Sequence, residues 1–167
     1  MGSAVRDGLL ISLLGPVEIT VAGQQADISQ QGLRALLALL ALRPGRVVPV
    51  ATLIDGLWQE EPTRTRELNL HARVFQLRKR LAVLEPDRTA SRIVTHEPGY
   101  LLELGPDELD LSLFAALAGQ GRDALAGGDP ATAGQLLRRA LRLWRGAALA
   151  DVVGSSDRLA AEAGRLA

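Results

Sequence analysis

The residues best suited to chemistry lie between Thr63 and Leu81, where Arg64, Arg66, Arg73, Arg78, Lys79 and Arg80 stand against one acid, Glu67. The chain of 167 residues carries 19 basic and 19 acidic residues, so this positive excess is local. A segment of that sign suits a polyanion, because neutralising phosphates releases condensed counterions. All the bases but Lys79 are arginine, a bias that coding preference also produces, so charge alone does not select nucleic acid. Other chemistries find less support. Cysteine is absent, which removes disulfides, thiolate metal sites and thiol nucleophiles together. His71 and His96 are the only histidines, and Tyr100 stands where the opening His96-Glu97 would need a second zinc ligand. Lys79 follows no phosphate-binding glycine loop, and no Gly-x-Ser-x-Gly turn occurs. The expectation is a protein without metal, cofactor or enzymatic activity.

The elements that must position the basic segment can be read from periodicity. Hydrophobic residues make up 47% of the chain, enough for a buried core in one domain or two small ones sharing an interface. The longest apolar run, Ala35 to Leu42, is too short to cross a bilayer, and the N-terminus lacks the pattern of a signal peptide. No membrane association and a cytoplasmic location are expected. Leu9 to Val21, broken at Gly15-Pro16, and Gln24 to Ile28 read as three short strands in an antiparallel meander. Ser29 is placed to cap a helix with Leu33, Leu36, Leu37 and Leu40 on one face, stopped by Arg43-Pro44-Gly45. A second short helix runs from about Val50 to Trp58, with Pro49 where a capping side chain is usual.

The basic segment itself reads as a helix from about Thr65 to Leu84. Leu70, Val74, Leu77, Leu81 and Leu84 form one stripe at 100° per residue, which must face inward. Leu68, Ala72, Phe75, Gln76 and Lys79 fall opposite, with Arg73 and Arg80 on one flank and His71 and Arg78 on the other. Arg92 to Glu103 alternates around Glu97-Pro98-Gly99 as a β-hairpin. Beyond Gly105 the spacing predicts a helical hairpin, Leu111 to Ala126 and Pro130 to Arg145, then a last helix from about Ser156 to Leu166. Small residues at Ala118, Ala126, Ala133 and Ala140 suit close helix pairing in a TPR-like repeat. One such pair cannot cover its own apolar faces, so this part reads as truncated.

Strands, two helices, a basic helix and a hairpin in this order describe a winged helix-turn-helix. A major groove about 12 Å wide accepts a helix that is apolar behind, polar in front and cationic at its margins. Arg92, Thr95 and His96 are the donors expected on the hairpin, and Arg64 and Arg66 the flanking cations. The fold class is therefore α+β: antiparallel strands and a winged helix over about residues 9–104, then an all-α part over 109–167.

Leu14-Gly15-Pro16-Val17-Glu18, Arg34 to Leu40, Leu57-Trp58, Val74-Phe75-Gln76-Leu77-Arg78-Lys79 and Pro98-Gly99-Tyr100 together resemble the Streptomyces antibiotic regulatory protein family, with its OmpR-type winged helix. Ala126-Gly127-Gly128-Asp129-Pro130 and Leu141 to Gly146 resemble the start of the bacterial transcriptional activator domain that follows it. The resemblance implies a transcription activator of antibiotic or other secondary-metabolite genes. It also implies double-stranded DNA as ligand, a head-to-tail homodimer on tandem direct repeats, and contact with RNA polymerase in its sigma factor region. By motif, Ala72, Gln76 and Arg78 become base readers and Arg73, Lys79 and Arg80 phosphate contacts, with Asn69 and Phe75 on the same recognition helix. Arg78 lies nearer the buried flank, which leaves a phosphate as its alternative target. Phe75 either rests on a thymine methyl or packs under a loop or at a subunit interface. Many relatives carry serine and arginine where Phe75 and Gln76 stand, so their target sequences do not transfer. Gln59 to Arg64 resembles the polymerase-contacting loop, with Glu60 and Glu61 as candidates. The rival reading is a helical-repeat protein-interaction module without a DNA role. Steep salt dependence separates the two.

Overall fold

A computed structural model describes residues 8–58 and 63–167. The meander forms as expected from β1 (Leu9–Ser12), β2 (Glu18–Val21) and β3 (Gln24–Ala26), antiparallel in that order. Alternation places Leu9, Ile11 and Ile19 inward. The β2–β3 turn has positive φ at both Ala22 and Gly23, the conformation that matches a two-residue hairpin to strand twist.

Helix α1 (Gln31–Ala41) begins one residue later than a Ser29 cap would require. Gln30 occupies the cap position without a side-chain hydrogen bond, and the carbonyls of Ile28 and Ser29 instead accept from Arg34 at 2.7 and 2.8 Å. Residues Val48–Pro49 form an unexpected two-residue strand, β4, before α2 (Val50–Leu57) and α3 (Thr63–Leu84). The hairpin strands β5 (Ile93–His96) and β6 (Gly99–Leu102) join β4 in a second antiparallel sheet of order β4-β6-β5. Gly99 makes that pairing possible, since a Cβ there would sit 1.9 Å from the Val48 carbonyl oxygen.

The later part contains α4 (Asp110–Ala126), α5 (Pro130–Leu141) and α6 (Asp157–Leu166). Gly128, at φ +81°, turns the α4–α5 hairpin, and Asp129 caps α5 by accepting from the Thr132 amide at 3.0 Å. Close pairing is real: a Cβ on Gly121 would meet Leu137 at 2.8 Å. Helix α5 ends at Leu141 rather than Arg145, because the Arg145 amide leaves the helix to bond the Leu14 carbonyl at 2.8 Å.

That bond belongs to a wider attachment. Leu109, Leu149, Val152 and Leu159 enter the same hydrophobic core as the winged helix. The buried Asp110 carboxylate accepts the amides of Leu13 and Leu14, each at 2.8 Å. Burial pushes this carboxyl above its ordinary range, opposed by those two amides and the charge of Arg145. Arg145 pairs with Glu18, and Asp151 with Arg34, each at 2.7 Å. Arg145 Nη2 also donates to the Pro16 carbonyl at 2.6 Å and Asp151 accepts the Val17 amide at 2.8 Å, so the β1–β2 loop is gripped by Asp110, Arg145 and Asp151.

Candidate nucleic-acid interface

The roll of α3 is fixed from behind. Leu70, Val74, Leu77 and Leu81 are all buried against α1, α2 and the wing. Each contributes about 1.5–3 kcal/mol of burial, so no surface interaction can turn the helix over. The opposite face is therefore presented to solvent: Asn69, Ala72, Gln76, Lys79 and Arg80 are exposed. Leu68 and Phe75 are 66% and 62% exposed. The later helices do not cover this face.

The flanks of α3 are held in detail. The Arg73 guanidinium lies 4.3 Å from the centroid of the Trp58 ring, so the half-buried indole anchors a cation as well as the end of α2. Gly32 leaves room for it, since a Cβ there would come within 2.7 Å of the guanidinium carbon. The Lys79 ammonium lies 5.5 Å from the Phe75 centroid. Arg66 is half-buried on the inner flank.

Arg78 has a different job from base reading. Its Nε donates to the Ile93 carbonyl at 2.9 Å and its Nη2 to Thr95 Oγ1 at 2.8 Å, and its guanidinium lies 5.7 Å from the Tyr100 ring centroid. Tyr100 in turn bonds His71 through its hydroxyl and the ring Nδ1 at 2.7 Å. Burial raises the Tyr100 pKa, opposed by the charge of Arg78. His71, Tyr100, Arg78 and Thr95 therefore brace the wing against α3 and set the angle between the two elements. Periodicity does not reveal this bracing, although Tyr100 lies in the Pro98-Gly99-Tyr100 motif. His96 is exposed on β5, its Nδ1 3.1 Å from the Glu97 carbonyl oxygen.

Arg92 must be removed from the wing donors. It is 4% exposed, with Nε and Nη2 donating to Glu85 and both terminal nitrogens donating to Glu108. Nη1 also donates to the Glu103 carbonyl at 3.0 Å. Donating hydrogen bonds to Glu85 and Glu108 holds Arg92 above its ordinary pKa, and accepting them from Arg92 holds Glu108 below the usual carboxylate range. A buried cation already saturated by two carboxylates cannot turn to a phosphate. Glu60, Glu61 and the side chain of Arg64 lie outside the described residues.

Residues 24–102 match the C-terminal domain of transcriptional regulatory proteins, and residues 109–167 match the bacterial transcriptional activator domain. The chain belongs to the Streptomyces antibiotic regulatory protein family. It is 39% identical over 142 residues to the transcriptional regulator RedD of Streptomyces coelicolor, covering 84% of this chain and 40% of RedD. The regulatory protein DnrI of Streptomyces peucetius is 34% identical, over 85% of this chain and 54% of its own length. A solved structure of Mycobacterium tuberculosis EmbR, in complex with a low-affinity phosphopeptide, superposes with a TM-score of 0.86 at 32% identity. That match covers 95% of this chain and 41% of the EmbR chain. The chain thus spans about half or less of the length of these relatives. Its fold is that of the family: an OmpR-type winged helix followed by an all-α helical part. Among the described residues, no helix is long and apolar enough to cross a membrane, and no group of three metal-ligating side chains occurs.

Proposed function

We propose that this regulator is a sequence-specific, DNA-binding transcription activator working in the cytoplasm. Helix α3 enters the major groove of double-stranded DNA and the β5–β6 wing lies along the neighbouring backbone. The observation that carries this reading is the exposed front of α3, polar and cationic at its edges, standing beside a braced wing. Gln76 and Asn69 are the polar base readers, with Ala72 beside them. Arg73, Lys79 and Arg80 contact phosphates, joined on the flanks by Arg64, Arg66, Thr95 and His96. The unit over 9–104 reads DNA, and the unit over 109–167 is rigidly mounted on it.

Family membership supports the finer parts of the proposal: head-to-tail pairing of two copies on tandem direct repeats, control of secondary-metabolite genes, and contact with the sigma factor region of RNA polymerase through Glu60 and Glu61. Selection of bound duplexes from a random pool at two salt concentrations tests binding and repeat spacing together. A repeated motif whose affinity falls steeply with salt is expected. No enrichment at either salt would overturn the DNA reading in favour of a protein-interaction module. Transcription with purified polymerase on the selected site separates an activator from a repressor, since both use the same winged helix.

A further inference from the structure

The front of α3 has one feature that phosphate contacts and amide readers leave unexplained. Its midline is apolar. Leu68, Ala72 and Phe75 are spaced three and four residues apart on one line, with both large side chains well over half exposed. Their exposure is not a failure of packing, because Leu70, Val74, Leu77 and Leu81 behind them are buried, with Leu84 half-buried at the end of the stripe, and the helix cannot roll. Phe75 is not part of the core: it stays 62% exposed at the mouth of a cleft shared with Arg88 to Ser91. The Lys79 ammonium lies over its ring, and Arg73 and Arg80 stand to one side of the line, so the apolar strip is bordered by cations.

That cross-section matches a major groove, whose rims are anionic and whose floor carries one kind of apolar group, the C5-methyl of thymine. A solely apolar protein partner would leave the charges of the exposed Lys79 and Arg80 without a counter-charge. We propose that Phe75 is a specificity-determining residue that reads a thymine methyl, with Leu68 and Ala72 extending the same apolar surface. Leu68 and Phe75 are separated by about 10 Å along the helix axis. The two side chains therefore reach different base pairs. The site selected by this protein therefore holds a thymine at the Phe75 position, where a G·C pair offers the ring no methyl to contact.

The inference rests on the DNA reading above, and the test separates the two. The duplex enriched by the whole chain is remade with uracil replacing one thymine at a time, which removes a methyl and leaves every hydrogen-bonding group in place. One position is expected to lose about fourfold in affinity, the worth of one buried methyl. In Phe75→Ala that penalty disappears while the other positions respond as before, and unchanged thermal unfolding shows the fold intact. If a site is enriched but uracil is tolerated everywhere, or if Phe75→Ala keeps the same penalty, the methyl-reading role is wrong and the DNA reading stands. If no duplex is enriched, both fall, and the strip is left as a surface for a protein.

Discussion

Arg80 on α3 and Arg92 just before β5 are the same residue type twelve positions apart in one winged helix, and they do opposite things. Arg80 stands exposed on the front of α3. Arg92 is buried, with Glu85 from the segment after α3 on one side and Glu108 from the segment before α4 on the other. One is available to a partner; the other ties together the wing and the start of the helical part. Basic residues near a recognition helix therefore divide by the carboxylates that surround them, and only the unmatched ones belong to an electrostatic surface.

The largest expected effect breaks the inner member of this pair. Arg92→Ala leaves two carboxylates facing each other without their shared cation, and should cost about 3–5 kcal/mol of stability, read by urea unfolding. A loss under about 1 kcal/mol would show that the knot is replaceable by water. On the outer surface, Gln76→Ala should leave stability within about 0.5 kcal/mol. It should relax the preference at one base position by about 1–3 kcal/mol, measured on the selected duplex and its single-base variants. A uniform loss across all sequences would assign Gln76 to the backbone instead. Arg80→Ala should weaken every sequence alike and reduce the salt slope by about 1, with no change in melting temperature.

The smallest effect sharpens the inner member through pH. Glu108 is held below the ordinary carboxylate range in the folded protein. Its ionised form therefore adds stability that is complete at neutral pH and is lost as pH falls below the unfolded value of about 4.3. Glu108→Gln should lower stability at pH 7 and flatten the decline on acidification, followed as urea midpoints between pH 7 and 3. An unchanged acid limb would assign the decline to other carboxylates.

Much of this was legible from local pattern. The buried stripe of α3, its exposed front and the wing turn all follow from periodicity and turn chemistry, which act over a few residues. Arg92 reads as a wing donor in the sequence because its acids lie far along the chain, Glu85 seven residues before it and Glu108 sixteen after. For Arg78 the sequence shows its position near the buried flank but not its acceptors, which lie on a strand that must first fold back. The strand at Val48–Pro49 leaves no sequence signal, because two residues carry no alternation. The grip of Asp110 on Leu13 and Leu14, nearly a hundred residues apart, leaves no local signal at all, since an aspartate opening a helix ordinarily reads as a cap.

That grip has a practical consequence for anyone building chimaeras. A cut after residue 105 separates the β1–β2 loop from Asp110, Arg145 and Asp151 and strands the Leu13 and Leu14 amides without their acceptor. A transplanted reading head must bring those anchors along, or be redesigned at the loop that expects them.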